Sequence, residues 1–182
     1  SKDKWSLQIF LRKKNKGITK EDFKNIKRIA VIGIYLDYRK NSEYSILIWD
    51  KSNNTIEHVK SGFLLRHKED KIWIENITKN IIDIALNSIK EYNCEISMIS
   101  FEKFEKKEGA KILKKMIIKN IFTKSVWEYP LKILAYMPIS NQNQKRLKKI
   151  YIDVKDISNN ENFNISKNIA KRTIEYFKMK LS

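Results

Sequence analysis

Apolar and polar positions alternate with two different periods along the chain, and the change of period separates the predicted elements. From Arg28 the string RIAVIGIYLDY is apolar and rich in β-branched residues, and YSILIWD and TIEHV continue this pattern around KSNN. Such runs predict a strand followed by a β-hairpin. Asn53 and Asn54 suit the hairpin turn, because asparagine accepts the positive φ that tight hairpins require.

Beyond the hairpin the spacing becomes helical. Between Ile74 and Tyr92 a set of apolar positions recurs every three to five residues, namely Ile74, Ile77, Ile81, Ile84 and Ile89, which predicts an amphipathic helix lying on a sheet. EISMIS then predicts a short strand and LKILAYM the last strand, which Pro138 ends by removing a backbone donor. Between them EGAKILKKMIIKNIF predicts a second helix, whose apolar face consists of Ile112, Leu113, Met116, Ile117 and Ile121.

This order of elements predicts an α/β domain with a mixed sheet, packed helices and a ribonuclease-H-like topology. We expect the domain to span residues 29–149, between a basic N-terminal extension at 1–28 and a C-terminal extension at 150–182. The 182 residues suit one domain with extensions. The second extension should contain a helix marked by Ile165, Ile169, Ile174 and Phe177. Through Ile169 and Phe177 we expect it to dock on a neighbouring protein.

The charge of the chain indicates a polyanionic partner. The sequence contains 38 Lys and Arg against 21 Asp and Glu, a formal charge of +17, and such a field attracts nucleic acid. Residues 1–28 and 140–182 supply +13 of it, a layout typical of a folded core with cationic arms. The competing explanation is a chain that lysine merely makes soluble. No apolar run approaches the ~20 residues that span a bilayer, so we expect no membrane partner.

Acidic residues offer one possible catalytic set. Asp37 and Asp50 fall on adjacent predicted strands, and with Glu75 or Asp83 on the following helix they could hold a divalent metal as nucleases do. The competing explanation is local, because aspartate is common where strands and turns meet.

Other catalytic chemistry is sparse. The single Cys94 leaves no disulfide framework and no cysteine cluster for zinc, and His58 and His67 lack a metal-ligand spacing. Four glycines form no phosphate-binding loop, and no activated serine can be assembled from the sequence. Trp49 and Trp73 sit in apolar patterns and should belong to the core. We therefore expect no enzyme, no cofactor and no metal.

Two segments are candidates for RNA contact. SGFLLRHKEDK, at 61–71, is predicted to join the hairpin to the first helix; its glycine lets backbone approach a phosphate and its cations neutralise it. An ordinary exposed connection is the alternative. MPISNQNQKRLKK, at 137–149, follows the last predicted strand and ends in four cations among five residues.

Three strings in this order resemble the universal small-subunit ribosomal protein eleven family, from about Ile29 to Lys149. DKSNNTI is similar to that family's hairpin, SGFLLRHK to its Ser-Gly-Phe loop, and MPISNQNQKRLKK to its Pro-Ile hook and basic cluster. The chain departs from the family at the glycine-rich turn before the second helix, where it has SFEKFEKKEG, and in the polar residues of the hook.

The resemblance implies a structural constituent of the small ribosomal subunit that binds small-subunit rRNA on the platform. Neighbouring small-subunit ribosomal proteins, and mRNA near the exit side, would be its other partners. Its divergence suggests a mitochondrial member, with a plastid-type organelle as the alternative. Two functions compete: an rRNA-binding protein similar to large-subunit ribosomal protein eighteen, and a metal-dependent ribonuclease-H-like nuclease. The RNA contacts implied are Ser61, Gly62, Phe63, Arg66, Lys68, Lys71, Asn141, Gln142, Asn143, Lys145, Arg146, Lys148 and Lys149.

Overall fold

The computed structural model describes residues 17–102, 111–136, 152–158 and 162–181. Within them no helix is both long enough and apolar enough to cross a membrane. The elements are, in chain order, α1 (Lys20–Asn25), β1 (Arg28–Tyr35), β2 (Ser42–Asp50), β3 (Thr55–Leu64), α2 (Asp70–Glu91), β4 (Ile96–Phe101), α3 (Lys111–Trp127), β5 (Ile133–Tyr136), β6 (Lys155–Asp156) and α4 (Asn164–Leu181).

One mixed sheet organises the described residues, with the strand order β5-β4-β1-β2-β3-β6. β1, β2 and β3 form an antiparallel meander, whereas β4 and β5 continue the sheet from β1 in parallel. β6 pairs in parallel with β3 at the opposite edge. This is the predicted α/β class with a mixed sheet and packed helices, and the prediction is confirmed.

Helices cover both faces of the sheet, and the two-residue alternation of the strands divides the core between them. On one face Ile32 and Ile99 pack with Ile77 of α2 and Ile117 of α3. On the other face the apolar side chains come from the strands, from α1 and from α4, namely Val31, Leu47, Phe23, Ala170 and Ile174. The central strands are therefore buried on both sides, which explains their near-continuous apolar sequence.

The hairpin turn forms as the sequence predicts. Asn54 adopts φ 53°, in the left-handed region that asparagine tolerates better than most residues. The carboxylate of Asp50 accepts a bond from the backbone N–H of Asn53 at 3.0 Å and so closes the turn. Trp49 and Trp73 are 3% and 0% exposed, which confirms that both belong to the core.

The predicted face of α3 is only partly the buried one: Leu113, Ile117 and Ile121 pack into the core as predicted, but two other members of that face do not. Ile112 and Met116 are 70% and 46% exposed, whereas Lys114 is buried together with Ile117 and Ile118. The apolar residues of this helix surround more of its circumference than one stripe, so periodicity alone could not choose the buried side.

Both terminal segments contribute to the core. Phe23 of α1 is buried, and its ring lies 5.1 Å from that of Phe177 in α4. Ile169 is also buried, at 4% exposure. The expectation that Ile169 and Phe177 dock on another protein is wrong, because both side chains pack inside this chain.

Candidate nucleic-acid interface

The two aspartates of the predicted metal set lie at opposite ends of the central strands. β1 pairs with β2 so that Arg28 is opposite Asp50 and Tyr35 is opposite Glu43. Asp50 therefore lies where β1 begins, and Asp37 follows the point where β1 ends. Eight residues of strand separate these ends, which corresponds to roughly 25 Å.

Each aspartate has a local role instead. Asp50 accepts a bond from Arg28 at 3.1 Å, and the backbone N–H of Asn53 and this guanidinium hold the pKa of Asp50 below its usual value against the effect of burial. Asp37 accepts a bond from the backbone N–H of Arg39 at 2.8 Å. These are the strand-end and turn functions that aspartate commonly performs.

The predicted helical acids do not complete a metal site either. Glu75 and Asp83 are exposed on α2, the helix that packs on the face opposite α4. Among the residues with a described position, no three His, Cys, Asp or Glu side chains are close enough to hold a metal ion together. The described side chains therefore do not form the divalent-metal site of the nuclease hypothesis.

A row of small residues crosses the sheet beneath α4. Ser61, Ser45, Gly33 and Ser100 occupy paired positions on β3, β2, β1 and β4. At Gly33 the helix backbone lies so close that a Cβ would sit 2.0 Å from the carbonyl oxygen of Ser166. The sheet can receive α4 only because this position has no side chain.

Hydrogen bonds between hydroxyl groups hold α4 against the sheet on both sides of the contact at Gly33. Ser45 Oγ lies 2.7 Å from Ser166 Oγ and 2.6 Å from Ser61 Oγ. On the other side Ser100 and Thr173 are hydrogen bonded through their side-chain oxygens. Buried hydroxyls carry little cost when each is bonded, so these pairs fix how α4 lies across β1.

The hydroxyl row continues into a buried histidine. His58 is completely buried; its Nε2 lies 2.6 Å from Ser61 Oγ and its Nδ1 3.2 Å from both Asp156 Oδ1 and Ser158 Oγ. A β-bulge directly after His58 places Ser61, three residues later, on the same side of β3. Burial raises the pKa of Asp156, but hydrogen bonds from Ser158, Lys167 and His58 outweigh it and hold this pKa below its ordinary value.

The order Ser61, His58, Asp156 is that of a nucleophile, a base and an orienting acid. Here, however, the imidazole ring of His58 is fully buried, and Ser61 is also hydrogen bonded to Ser45 at 2.6 Å. Ser45 is in turn hydrogen bonded to Ser166 of α4. The network therefore connects β3, β6 and α4. Sequence reasoning missed it; the available signal was the set of serines interrupting apolar strands at Ser45, Ser61 and Ser100.

Two carboxylates lie at the end of the sheet where β1 finishes. Tyr35 is opposite Glu43 on β2, and Glu102 directly follows β4, the parallel neighbour of β1. Ser166 Oγ donates to Glu43 Oε2 at 3.4 Å. Partial burial raises the pKa of Glu43, against the smaller effects of that bond and of Lys40. We call this end of the sheet, with the carboxylates of Glu43 and Glu102 and the neighbouring Tyr35, the carboxylate edge.

The first predicted RNA-contact segment differs from expectation in its local structure. Ser61, Gly62 and Phe63 belong to β3 and pair with β2, so they are not part of the connection to the helix. A Cβ on Gly62 would meet the ring of Tyr44 at 2.8 Å. The glycine therefore makes room for a tyrosine of its own sheet. Phe63 is 64% exposed.

The cations that follow are divided between internal and exposed positions. Arg66 donates to the carbonyl of Tyr38 at 2.8 Å, pairs with Asp70 at 2.7 Å and covers the ring of Trp73 at 4.0 Å. Lys68 and Lys71 are exposed. The remaining predicted contacts lie outside the described residues: Asn141, Gln142, Asn143, Lys145, Arg146, Lys148 and Lys149. As nucleic-acid contacts, all these residues stay predictions.

Comparison with known proteins gives the fold a context. No family model matches the chain, and no curated protein matches its sequence. The Thermus thermophilus RuvC structure aligns with 84% of this chain and 97% of its own, with a TM-score of 0.54 and 11% identity. The same protein in complex with a Holliday junction substrate gives a TM-score of 0.54 at 10% identity, over 85% and 97% of the two chains. The fowlpox virus Holliday junction resolvase aligns with 84% of this chain and 99% of its own, with a TM-score of 0.43 and 17% identity.

These neighbours overturn the ribosomal interpretation. The predicted platform membership and structural role in the small subunit are wrong, and so are the predicted rRNA, ribosomal-protein and mRNA partners. The structures that share this fold are those of RuvC, one of them in complex with a Holliday junction substrate. The expectation of no enzyme, drawn from the sparse catalytic residues, is wrong as well, because the RuvC structure of the same fold was solved with a substrate. The large-subunit alternative has no support either. The mitochondrial location, with its plastid-type alternative, stays a prediction. The chain has the fold of the RuvC structure.

Proposed function

We propose that this chain acts on branched DNA and that a four-way junction is the structure it recognises. One observation carries the proposal: the RuvC fold extends over 84% of this chain and 97% of that protein, which has also been captured with a Holliday junction substrate. A match to the sheet or the helices alone would be weaker evidence of function, because proteins with many unrelated functions share such parts of a fold.

Charge supports a DNA partner. The formal charge of +17 favours association with phosphates, and each neutralised phosphate releases counterions from the DNA. A four-way junction brings four duplex arms to one point, where a cationic surface meets more phosphates than on a single duplex. The preference should therefore concern the shape of the DNA more than its sequence.

The carboxylate edge favours strand cleavage as a second function. Glu43 is partly buried beside Tyr35, and burial raises its pKa, which makes its carboxylate a stronger base. In the proposed step a water oxygen attacks phosphorus while Glu43 accepts the water proton. The bond from phosphorus to one deoxyribose oxygen breaks, and that oxygen takes a proton from solvent.

The experiment compares a labelled four-way junction with a linear duplex of equal length and with a small-subunit rRNA hairpin. Fluorescence anisotropy at fixed salt should show the junction bound more tightly than either competitor by at least about tenfold, which is ~1.4 kcal/mol. Equal affinity for junction and duplex, or preference for the rRNA hairpin, would reject junction recognition.

Cleavage is measured separately on denaturing gels, with and without Mg²⁺ or Mn²⁺. We expect nicked junction strands from the natural chain and a strong loss of nicking with Glu43→Gln. Glu75→Gln is the matched control, because it removes one exposed carboxylate from the other face of the sheet. Binding without nicking under every condition would reject the second function and leave the first intact.

A further inference from the structure

A basic cleft lies at the end of the sheet opposite the carboxylate edge. It encloses about 700 Å³ between α1, the β2–β3 turn and the C-terminal part of α4. The residues that line it are Lys24, Asn25, Ile26, Lys27, Trp49, Lys51, Ser52, Asn54 and Lys178. Four of the nine are lysines and none is acidic. We call this the lysine cleft.

One of its lysines is built into the fold. Lys51 Nζ donates to the carbonyl oxygens of Phe23 and Lys24, at the C-terminal end of α1. The ammonium lies 4.8 Å from the ring centre of Phe23 and 5.8 Å from that of Trp49. Burial lowers the pKa of Lys51, against a smaller opposing effect of Glu95. The carbonyl and ring contacts hold the amine of Lys51 in place at the base of the cleft.

The other three lysines of the cleft lie around Lys51 and are all at least partly exposed. Lys24 and Lys27 are exposed and Lys178 is half-buried, and Lys178 Nζ donates to the side chain of Asn54 at 3.3 Å. Lys24 also approaches Glu21 at 3.7 Å, but this pair is largely exposed and surface pairs of this kind are weak. A phosphate can therefore compete for Lys24.

The chemistry of the cleft points to a phosphodiester backbone. Lysine ammonium groups bind phosphate as point charges, and amides such as Asn25 and Asn54 supply neutral donors. An open cleft with several cations suits a chain of phosphates better than one compact anion. We propose that the lysine cleft binds the backbone of a DNA arm, as a second contact in addition to the carboxylate edge.

The position of the cleft determines which part of the DNA it meets. The lysine cleft adjoins the start of β1 and the carboxylate edge its end, so roughly 25 Å of strand separates them. A single phosphate cannot contact both places. A duplex arm that extends from a junction at the carboxylate edge has the length to reach the cleft. This inference rests on the proposed function for its substrate.

The test replaces three lysines of the cleft, Lys24→Gln, Lys27→Gln and Lys178→Gln, in one variant. Lys51 is kept because it binds α1 carbonyls. The matched control carries Lys79→Gln, Lys90→Gln and Lys119→Gln, which remove the same charge from exposed positions on α2 and α3. Circular dichroism and thermal melts verify that both variants remain folded.

The readout is the dependence of junction affinity on salt concentration, measured by anisotropy. The cleft variant should lose about two to three units of the slope of log affinity against log salt, and the control less than one. Equal slopes for the two variants would overturn the inference. Loss of slope on linear duplex, with no preference for the junction, would uphold the cleft and reject junction recognition. A natural chain that binds no DNA would reject both.

Discussion

Replacing Gly33 by alanine tests whether the contact between α4 and β1 organises this face of the sheet. The added Cβ would lie 2.0 Å from Ser166 O and 2.8 Å from Ala170 N, whereas ordinary contacts begin at 3.4 Å. Both obstructing atoms belong to the helix backbone, which no side-chain rotation can move. The helix must therefore retreat from the sheet by more than about 1 Å, which is a severe case of overpacking.

The expected cost follows from the contacts that the retreat disturbs. Overpacking a tight interior costs ~1–3 kcal/mol. Displacing α4 also strains the bonds between Ser45 and Ser166 and between Ser100 and Thr173, at about 1 kcal/mol each. The sum, roughly 3–5 kcal/mol, is a large part of the ~5–15 kcal/mol by which domains are normally stable.

Urea denaturation followed by tryptophan fluorescence is a suitable assay, since Trp49 and Trp73 are both buried. At a typical slope of ~2 kcal/mol per molar urea, the midpoint of Gly33→Ala should fall by about 2 M. Gly62→Ala is the control, because its Cβ meets only the ring of Tyr44, which can shift. A Gly33→Ala midpoint equal to that of Gly62→Ala would refute the proposed role of the contact.

Two further predictions concern Asp156, which is partly exposed, and Cys94, which is buried. The pKa of Asp156 is lowered on folding, so this carboxylate should stabilise the protein at pH values above its ordinary pKa of 3.8. The stabilisation should be lost progressively as the pH falls from 3.8 toward the lowered pKa of the folded state. Urea midpoints measured from pH 6 to pH 2.5 should therefore decline less for Asp156→Asn than for the natural chain. Burial raises the pKa of the Cys94 thiol to about 11, so iodoacetamide at pH 8 should modify Cys94 slowly in the folded protein and quickly in urea; equal rates would show that the thiol is accessible.

The local elements were predictable because their signals are local. The strand from Arg28, the hairpin around Asn54 and the helix before Tyr92 each follow from a period or a turn within about twenty residues. The position of α4 was not predictable in this way. It depends on a glycine and several serines distributed over four strands, and no periodicity relates Ser45 to Ser166, which is 121 residues away.

The same reasoning explains why the family resemblance failed. DKSNNTI satisfies the backbone needs of a tight turn, including the positive φ of Asn54, and unrelated hairpins meet those needs with similar residues. The string SGF resembled a loop that approaches RNA, but here Gly62 accommodates the ring of Tyr44. Short strings of this kind report local geometry and carry little information about a partner.

The distance along the chain between β1 and α4 also affects how the protein matures. During synthesis β1, β2 and β3 can pair early, but the face of the sheet around Gly33 stays uncovered until the residues that include Ser166 and Ala170 have been made. Closing contacts so far apart is slow, and an uncovered apolar face invites association with other chains. The nascent protein should therefore depend on a chaperone, and ribosome-bound chains that stop before residue 164 should recruit one more strongly than chains that include α4.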